Sequence, residues 1–135
     1  MKVFRSRAGQ PSENRTKTFS GTVWADPVMP TTDNITMGNV SFTPGSRTFW
    51  HSHEQGQILV VSSGSGFVCK EGEEPHVIRT GDVVWIAAGE RHWHGAASDS
   101  YMVHMATSLG VTKWAEEVPE EVYRKAVGHN APKML

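Results

Sequence analysis

Three histidines and a glutamine carry the most legible chemistry in this chain. His51 and His53 flank Ser52, Gln57 follows four residues on, and His92 lies far downstream. Side chains on a β-strand alternate between two faces with a period of two. A His-x-His pair on a strand therefore projects both rings to one side, where neutral imidazoles can share one divalent cation. His92 would add a third imidazole and Gln57 an uncharged carbonyl oxygen. Taken alone, the spacing also describes two histidines at the surface or the edge of a core. Gln57 also describes a strand-start residue pointing to solvent.

Two further histidines extend the constellation. His94 stands two residues after His92 and shares its face. His104 is the one residue of the apolar run from Tyr101 to Thr107 that ordinarily titrates near neutrality. Beside a cation they would form a proton-transfer pair, because imidazole ordinarily titrates near neutrality. The alternatives are a core histidine satisfied by one hydrogen bond for His104, and a supporting partner or substitute ligand for His94. His76, next to Pro75 in a turn-rich segment, reads as surface, and His129 in the tail as solvent-exposed.

The elements that must position these residues are short strands punctuated by turns. The pattern predicts strands at 19–25, 35–42, 48–53, 57–62, 66–70, 76–79, 83–86, 92–96 and 101–107. A Pro/Thr/Asp loop is expected at 29–34 and a hairpin tip at 71–75. Many short strands with turns between them indicate a sandwich or barrel. Residues 119–126 read as a short helix, with Pro119 at its first position and acidic residues at the positive end of the dipole. From Gly128 onward the chain is expected to fray. Residues 1–17 read as an extended arm of one domain spanning 1–135.

Composition narrows the function classes. A chain of 135 residues can close one core without disulfides. Its net charge of −1 gives no basic field for nucleic acid, although Lys2, Arg5, Arg7, Arg15 and Lys17 cluster near the N-terminus. Cys69 is the single cysteine, so no intrachain disulfide forms, and its strand context suits an inert, buried thiol. No segment reads as a signal peptide or membrane span, which predicts a cytoplasmic protein. Five tryptophans leave apolar surface that a subunit interface could cover.

Two blocks then combine. The first runs from Gly45 through His51, His53 and Gln57 to Gly64, and the second reads Gly81-x5-Ala87-x-Gly89-x2-His92. Together they resemble the paired motifs of the cupin superfamily, with glycines and histidines in register. Gln57 stands where that family usually has Glu, Ala87 where it has Pro, and Ala96 where it often has Asn. The resemblance implies an all-β, cupin-type jelly-roll barrel with a short C-terminal helix. It also implies a metal held by His51, His53, Gln57 and His92. A Glu at 57 would offset part of the ion's charge; Gln offsets none, leaving a stronger Lewis acid.

Within the superfamily, His-x-His-x3-Gln, His92-Trp-His-Gly-Ala-Ala97 and His104 resemble the small bacterial manganese-dependent hydroxynitrile lyases. Gly21-Thr-Val23 with Asp26-Pro27, and Val111 to Trp114 with Val118 to Arg124, are similar too. That resemblance implies cleavage or formation of a small cyanohydrin, with His94 and His104 as acid and base. Gly38, Val40 and Thr48 would shape the substrate pocket, or else serve ordinary strand packing. The metal implied is Mn(II), with Fe(II), Ni(II) or Zn(II) as alternatives. Closed structural zinc sites favour cysteine ligands, which are absent from this set. A homo-oligomer, dimer or tetramer, and a small-molecule substrate are implied partners. Other cupins are iron dioxygenases or non-catalytic small-molecule binders, and these are the competing functions.

Overall fold

The computed structural model describes residues 1–5 and 10–130, without the side chains of His129 and Asn130. Arg7 and the side chain of His129 therefore lie outside the described residues. The first strands are β1 (Glu13–Asn14), β2 (Phe19–Ser20), β3 (Val23–Thr32), β4 (Ile35–Phe42), β5 (Arg47–Thr48) and β6 (His51–His53). There follow β7 (Gly56–Lys70), β8 (His76–Arg79), β9 (Val83–Ile86), β10 (His92–Ala96), β11 (Met102–Leu109), β12 (Thr112–Trp114) and helix α1 (Glu120–Asn130). No helix among the described residues is long and apolar enough to cross a membrane.

The strands curl into a barrel of two sheets, and every pairing is antiparallel. β7 belongs to both sheets. Its first half pairs with β11 and β9, and its second half with β10 and β8. The crossing comes at Gly64-Ser65-Gly66. Gly64 has φ +78°, and a Cβ there would lie 1.9 Å from the Tyr101 carbonyl oxygen. A Cβ on Gly66 would lie 2.0 Å from the Gly95 carbonyl oxygen. Only a chain without side chains at these points can change sheets. The two strands expected at 57–62 and 66–70 are thus one bent strand.

The N-terminal third departs furthest from expectation. The predicted strand at 19–25 is broken at Gly21, and its second part continues through the predicted 29–34 loop as β3. β3 tolerates Pro27 and Pro30 because its register with β4 shifts between Pro27 and Met29 and between Met29 and Thr32. Asp33 and Asn34, at φ 50° and 66°, then close a tight hairpin whose central residues both take the left-handed conformation. The predicted strand at 48–53 is likewise two, β5 and β6. β12 pairs with β6, although no strand is expected there from the sequence.

β10 is buried on both faces. His92, His94 and Ala96 face the barrel, where Val23, Phe42, Leu59, Val61 and Met102 form the core. Trp93 and Ala97 face outward into a second cluster with Phe67, Val118, Tyr123 and Ala126. Helix α1 thus serves as the cover of β10. Arg47, 5% exposed, fixes it by donating from Nε and Nη2 to the Val118 carbonyl at 3.2 and 2.9 Å. Its guanidinium lies 4.7 Å from the Tyr123 ring centre, and the Tyr123 hydroxyl donates to the Ala96 carbonyl at 2.7 Å. Pro119 precedes the helix, which begins at Glu120 and continues past Gly128.

The strand crossing supplies a test. Gly72 has φ +81°, but a Cβ there would meet nothing within 4 Å, so Gly72→Ala carries backbone strain alone. Gly64→Ala carries that strain and a backbone collision. Urea denaturation should show Gly64→Ala to be less stable than Gly72→Ala by roughly 2–4 kcal/mol. Equal stabilities would mean that β7 can change sheets without the close approach at Gly64.

Candidate metal centre and cavity

β6 is only three residues long, and both its histidines point inward. It is held on one side by β10, with His92 opposite His51, and on the other by β12, with Thr112 opposite His53. Gln57 opens β7. All four side chains are buried. Nitrogens of His51, His53 and His92 lie within 4.8 Å of one another. The Gln57 Oε1 lies 3.2 Å from His92 Nε2.

The outer faces of these rings decide what the inner faces can do. His51 Nδ1 lies 2.9 Å from the Phe49 carbonyl, and His92 Nδ1 lies 2.9 Å from the Glu90 carbonyl. A carbonyl can only accept, so both Nδ1 atoms carry the hydrogen and both Nε2 atoms present lone pairs. His92 Nε2 and Gln57 Oε1 are then two acceptors facing each other. The buried Nε2 of His53 has no hydrogen-bond partner. Convergent lone pairs without a donor among them fit a divalent cation. Burial lowers the pKa of all three rings, with like-charge repulsion from His92 adding to the effect on His51 and His53. His53 is brought down to about 4. All three are therefore neutral, the ligating form, at pH 7.

His94 and His104 sit directly behind this group. His104 Nε2 and His94 Nδ1 are 2.9 Å apart, and the His94 ring centre is 5.2 Å from that of His51. Phe42 packs against both rings. The His94 Nε2 is buried without a partner. The expectation that this pair titrates near neutrality is corrected by the structure. Burial brings His104 down to about 4. Burial and then repulsion from His104 hold His94 well below its ordinary value. Both rings are neutral across the physiological range, so the pair offers a base and no standing acid.

One cavity of about 300 Å³ joins the two groups. His51, His53, Gln57, His94 and His104 line its floor, and Gly38, Val40 and Thr48 lie on its wall. Thr48 Oγ1 also accepts from the His94 main-chain nitrogen at 3.2 Å. Phe19, Met29, Met37 and Trp114 also line it, and Glu13 and Arg15 stand on the lining contributed by the N-terminal arm. Trp114 packs over His51 with ring centres 4.5 Å apart, and Phe19 packs against Trp114 at 5.6 Å. Sequence reasoning missed these residues, because nothing local marks an aromatic that reaches the cavity by strand pairing. His76 is exposed, as expected. Cys69 packs on the helix side of β7, and burial raises its thiol pKa.

The buried pair makes metal-free stability pH-dependent. His104 has a folded pKa of about 4 against 6.5 in the open chain. Between those values the unfolded chain binds a proton that the folded one refuses. Stability is therefore full above pH 6.5 and falls as pH drops through the window, by about 3 kcal/mol at its lower end. Urea titrations in chelator at pH 7, 6, 5 and 4 should show that loss, with a shallower slope in His104→Leu. An unchanged slope would place the His104 ring in contact with water.

Residues 38–108 match the family model described as "Cupin domain". The chain is 42% identical to an (R)-mandelonitrile lyase of Granulicella tundricola, over 79% of this chain and 86% of that protein. It is 36% identical to a solved cupin-like protein of Thermotoga maritima, with a TM-score of 0.81 over 93% of this chain and 97% of that one. A polyketide cyclase of Streptomyces resistomycificus shares the fold at 16% identity, with a TM-score of 0.71 over 92% of each chain. With the barrel, the glycine-bounded histidine block and these relatives in agreement, the chain belongs to the cupin family.

Proposed function

We propose that this protein is a metal-dependent lyase that cleaves or forms a small cyanohydrin. The observation that carries this reading is a neutral, directly bonded His94–His104 pair beside the three-histidine centre, in one cavity. The relationship to a protein named (R)-mandelonitrile lyase supports it. The cavity agrees in character, with nitrogen and carbonyl groups on its floor and Phe19, Val40, Met37 and Trp114 on its wall. A substrate with a small polar head and an apolar body fits that division.

His51, His53, Gln57 and His92 would hold the ion, which we propose to be Mn(II). The donors are imidazole nitrogen and carbonyl oxygen, and the one thiol of the chain packs elsewhere. When bound, such an ion supplies Lewis acidity that lowers the pKa of a substrate hydroxyl. Neutral His94 accepts the hydroxyl proton at Nε2. The electron pair left on oxygen forms the carbonyl as the bond to the nitrile carbon breaks, and cyanide leaves with the pair of that bond. The His94 imidazolium returns its proton to cyanide, and hydrogen cyanide and an aldehyde or ketone depart. His104 Nε2 accepts from His94 Nδ1–H throughout, which keeps the lone pair of His94 on the cavity side. The reverse sequence forms the cyanohydrin.

A homo-oligomer is part of the same reading. Ile58 and Val60 of β7 stand opposite Trp85 and Val83 of β9 on the outer face of the barrel. Val83 and Trp85 are 66% and 59% exposed, and Val60 is 39% exposed. β9 pairs only with β7 among the described residues, so an apolar face meets a free strand edge. Light scattering on the purified protein should give a mass of at least two chains, and Trp85→Lys should lower it. A monomer in both would remove this part of the proposal.

The catalytic reading is tested by metal analysis and cyanohydrin cleavage on the same preparations. His51→Ala and His53→Ala should lose metal with the fold retained by circular dichroism. His94→Ala should keep its metal and lose turnover by roughly 10²–10⁴-fold. Oxygen consumption with Fe(II) and no cyanohydrin cleavage would replace the lyase with an oxygenase. Full turnover in His94→Ala would remove the proposed base.

A further inference from the structure

Two of the four candidate ligands are steadied by the main chain just before their own strands, and the other two by a single short segment elsewhere. His51 and His92 each donate from Nδ1 to a carbonyl two residues earlier. His53 and Gln57 have side-chain partners instead. His53 Nδ1 lies 3.0 Å from Thr112 Oγ1, and Gln57 Nε2 donates to Ser108 Oγ at 3.1 Å. Both partners are the direct cross-strand neighbours of the groups they hold: Ser108 stands opposite Gln57, and Thr112 opposite His53.

The main chain between Ser108 and Thr112 completes the match. Residues 54–56 form the turn that joins His53 to Gln57. Glu54 N donates to the Val111 carbonyl at 3.0 Å, and Gln55 N donates to the Leu109 carbonyl at 2.9 Å. Gly110 lies so close that a Cβ there would be 2.9 Å from the Glu54 Cβ, and its own nitrogen donates to the Asn34 carbonyl at 2.7 Å. The ligand-bearing turn is thus laid against a second turn, bonded to it at the ligands and between them.

We propose that Ser108 and Thr112 are positioning residues of the metal centre. Thr112 Oγ1 accepts from His53 Nδ1–H and keeps the Nε2 lone pair turned toward His51 and His92. Ser108 Oγ accepts from the Gln57 amide and leaves its Oε1 on the same side. Without the Thr112 hydroxyl, nothing holds the His53 hydrogen on Nδ1. The ring can then carry it on Nε2, a form with no lone pair on the side that faces His51 and His92. Without the Ser108 hydroxyl, a buried amide donor loses its acceptor and the carbonyl loses its aim. The inference rests on the metal reading above, but its first consequence appears in the metal-free protein.

The test uses the whole chain and the variants Thr112→Val, Thr112→Ser and Ser108→Ala. Nitrogen-resolved NMR of metal-free protein at pH 7.5 reports which His53 nitrogen carries the hydrogen. Wild type and Thr112→Ser should hold it on Nδ1, and Thr112→Val should move it toward Nε2. Chelator competition with Mn(II) and with Zn(II) should then show roughly 10–100-fold weaker binding in Thr112→Val and Ser108→Ala, and near-wild-type binding in Thr112→Ser. Urea denaturation at pH 7.5 checks that all three fold. An unmoved His53 hydrogen with unchanged affinities would overturn the positioning role and leave the metal centre standing. Failure of folded wild type to bind either ion would overturn the metal centre, and this role with it.

Discussion

Five imidazole rings, from His51, His53, His92, His94 and His104, lie at 3% exposure or less. Phe42 packs against two of them, and little of any ring is reached by bulk water. Removing an imidazolium from water without a counter-charge is costly, and among the causes of these shifts desolvation ranks first for every one of the five. The interior can therefore be assembled only from neutral rings. A neutral ring has one donor and one acceptor, and each needs an answer. Carbonyls at Phe49 and Glu90, the Thr112 hydroxyl and the His94–His104 contact answer one side of the cluster. At His51, His53 and His92 what is left over is a set of lone pairs aimed at a common point, the arrangement a cation requires. Burial, tautomer and the fit of the three rings to a divalent cation are one constraint seen at three stages.

β10 shows how so small a chain meets that constraint. Its alternate residues supply two ring nitrogens to the barrel and the indole of Trp93 to the back, and neither face is left to solvent. The helix is what that economy requires. Without α1, Trp93 and Ala97 would be exposed on the reverse of the strand that holds His92 and His94. The Arg47 guanidinium, gripping the Val118 carbonyl and lying over Tyr123, ties that cover to the sheet. A disturbance at the helix is therefore transmitted to the site through one strand thickness.

The sequence disclosed the strands that carry strong local signals. β4, β8, β9 and β10 fall at the residues expected, because each is a β-rich run bounded by turn residues. It was less informative where tertiary pairing overrides local preference. Pro27 and Pro30 argue against a strand, yet the bulged register of β3 accommodates both. Gly64 reads as part of a break between two strands and Gly66 as the start of the second, whereas they are the bend within one. At the site, period-two spacing placed His51 with His53 and His92 with His94 on shared faces. The cavity also takes in Gly38, Val40 and Thr48. The hydroxyls of Ser108 and Thr112 left no trace in the sequence, since a serine or threonine on a strand is unremarkable until its partner across the ladder is known. The protonation of His94 and His104 was likewise out of reach, because ordinary imidazole behaviour is a property of water, and these rings have little.

Trp114 gives the molecule an optical property that follows from its position alone. Its indole is partly exposed, yet its ring centre lies 4.5 Å from that of His51. Trp93 is sealed behind β10, and Trp85 faces outward on β9. Quenching by a paramagnetic ion falls off steeply with distance, so with such an ion in the centre the Trp114 indole would respond more than the outward-facing Trp85. The cavity carries its own lamp, and the dimming of that lamp would follow occupancy of the centre without any added label.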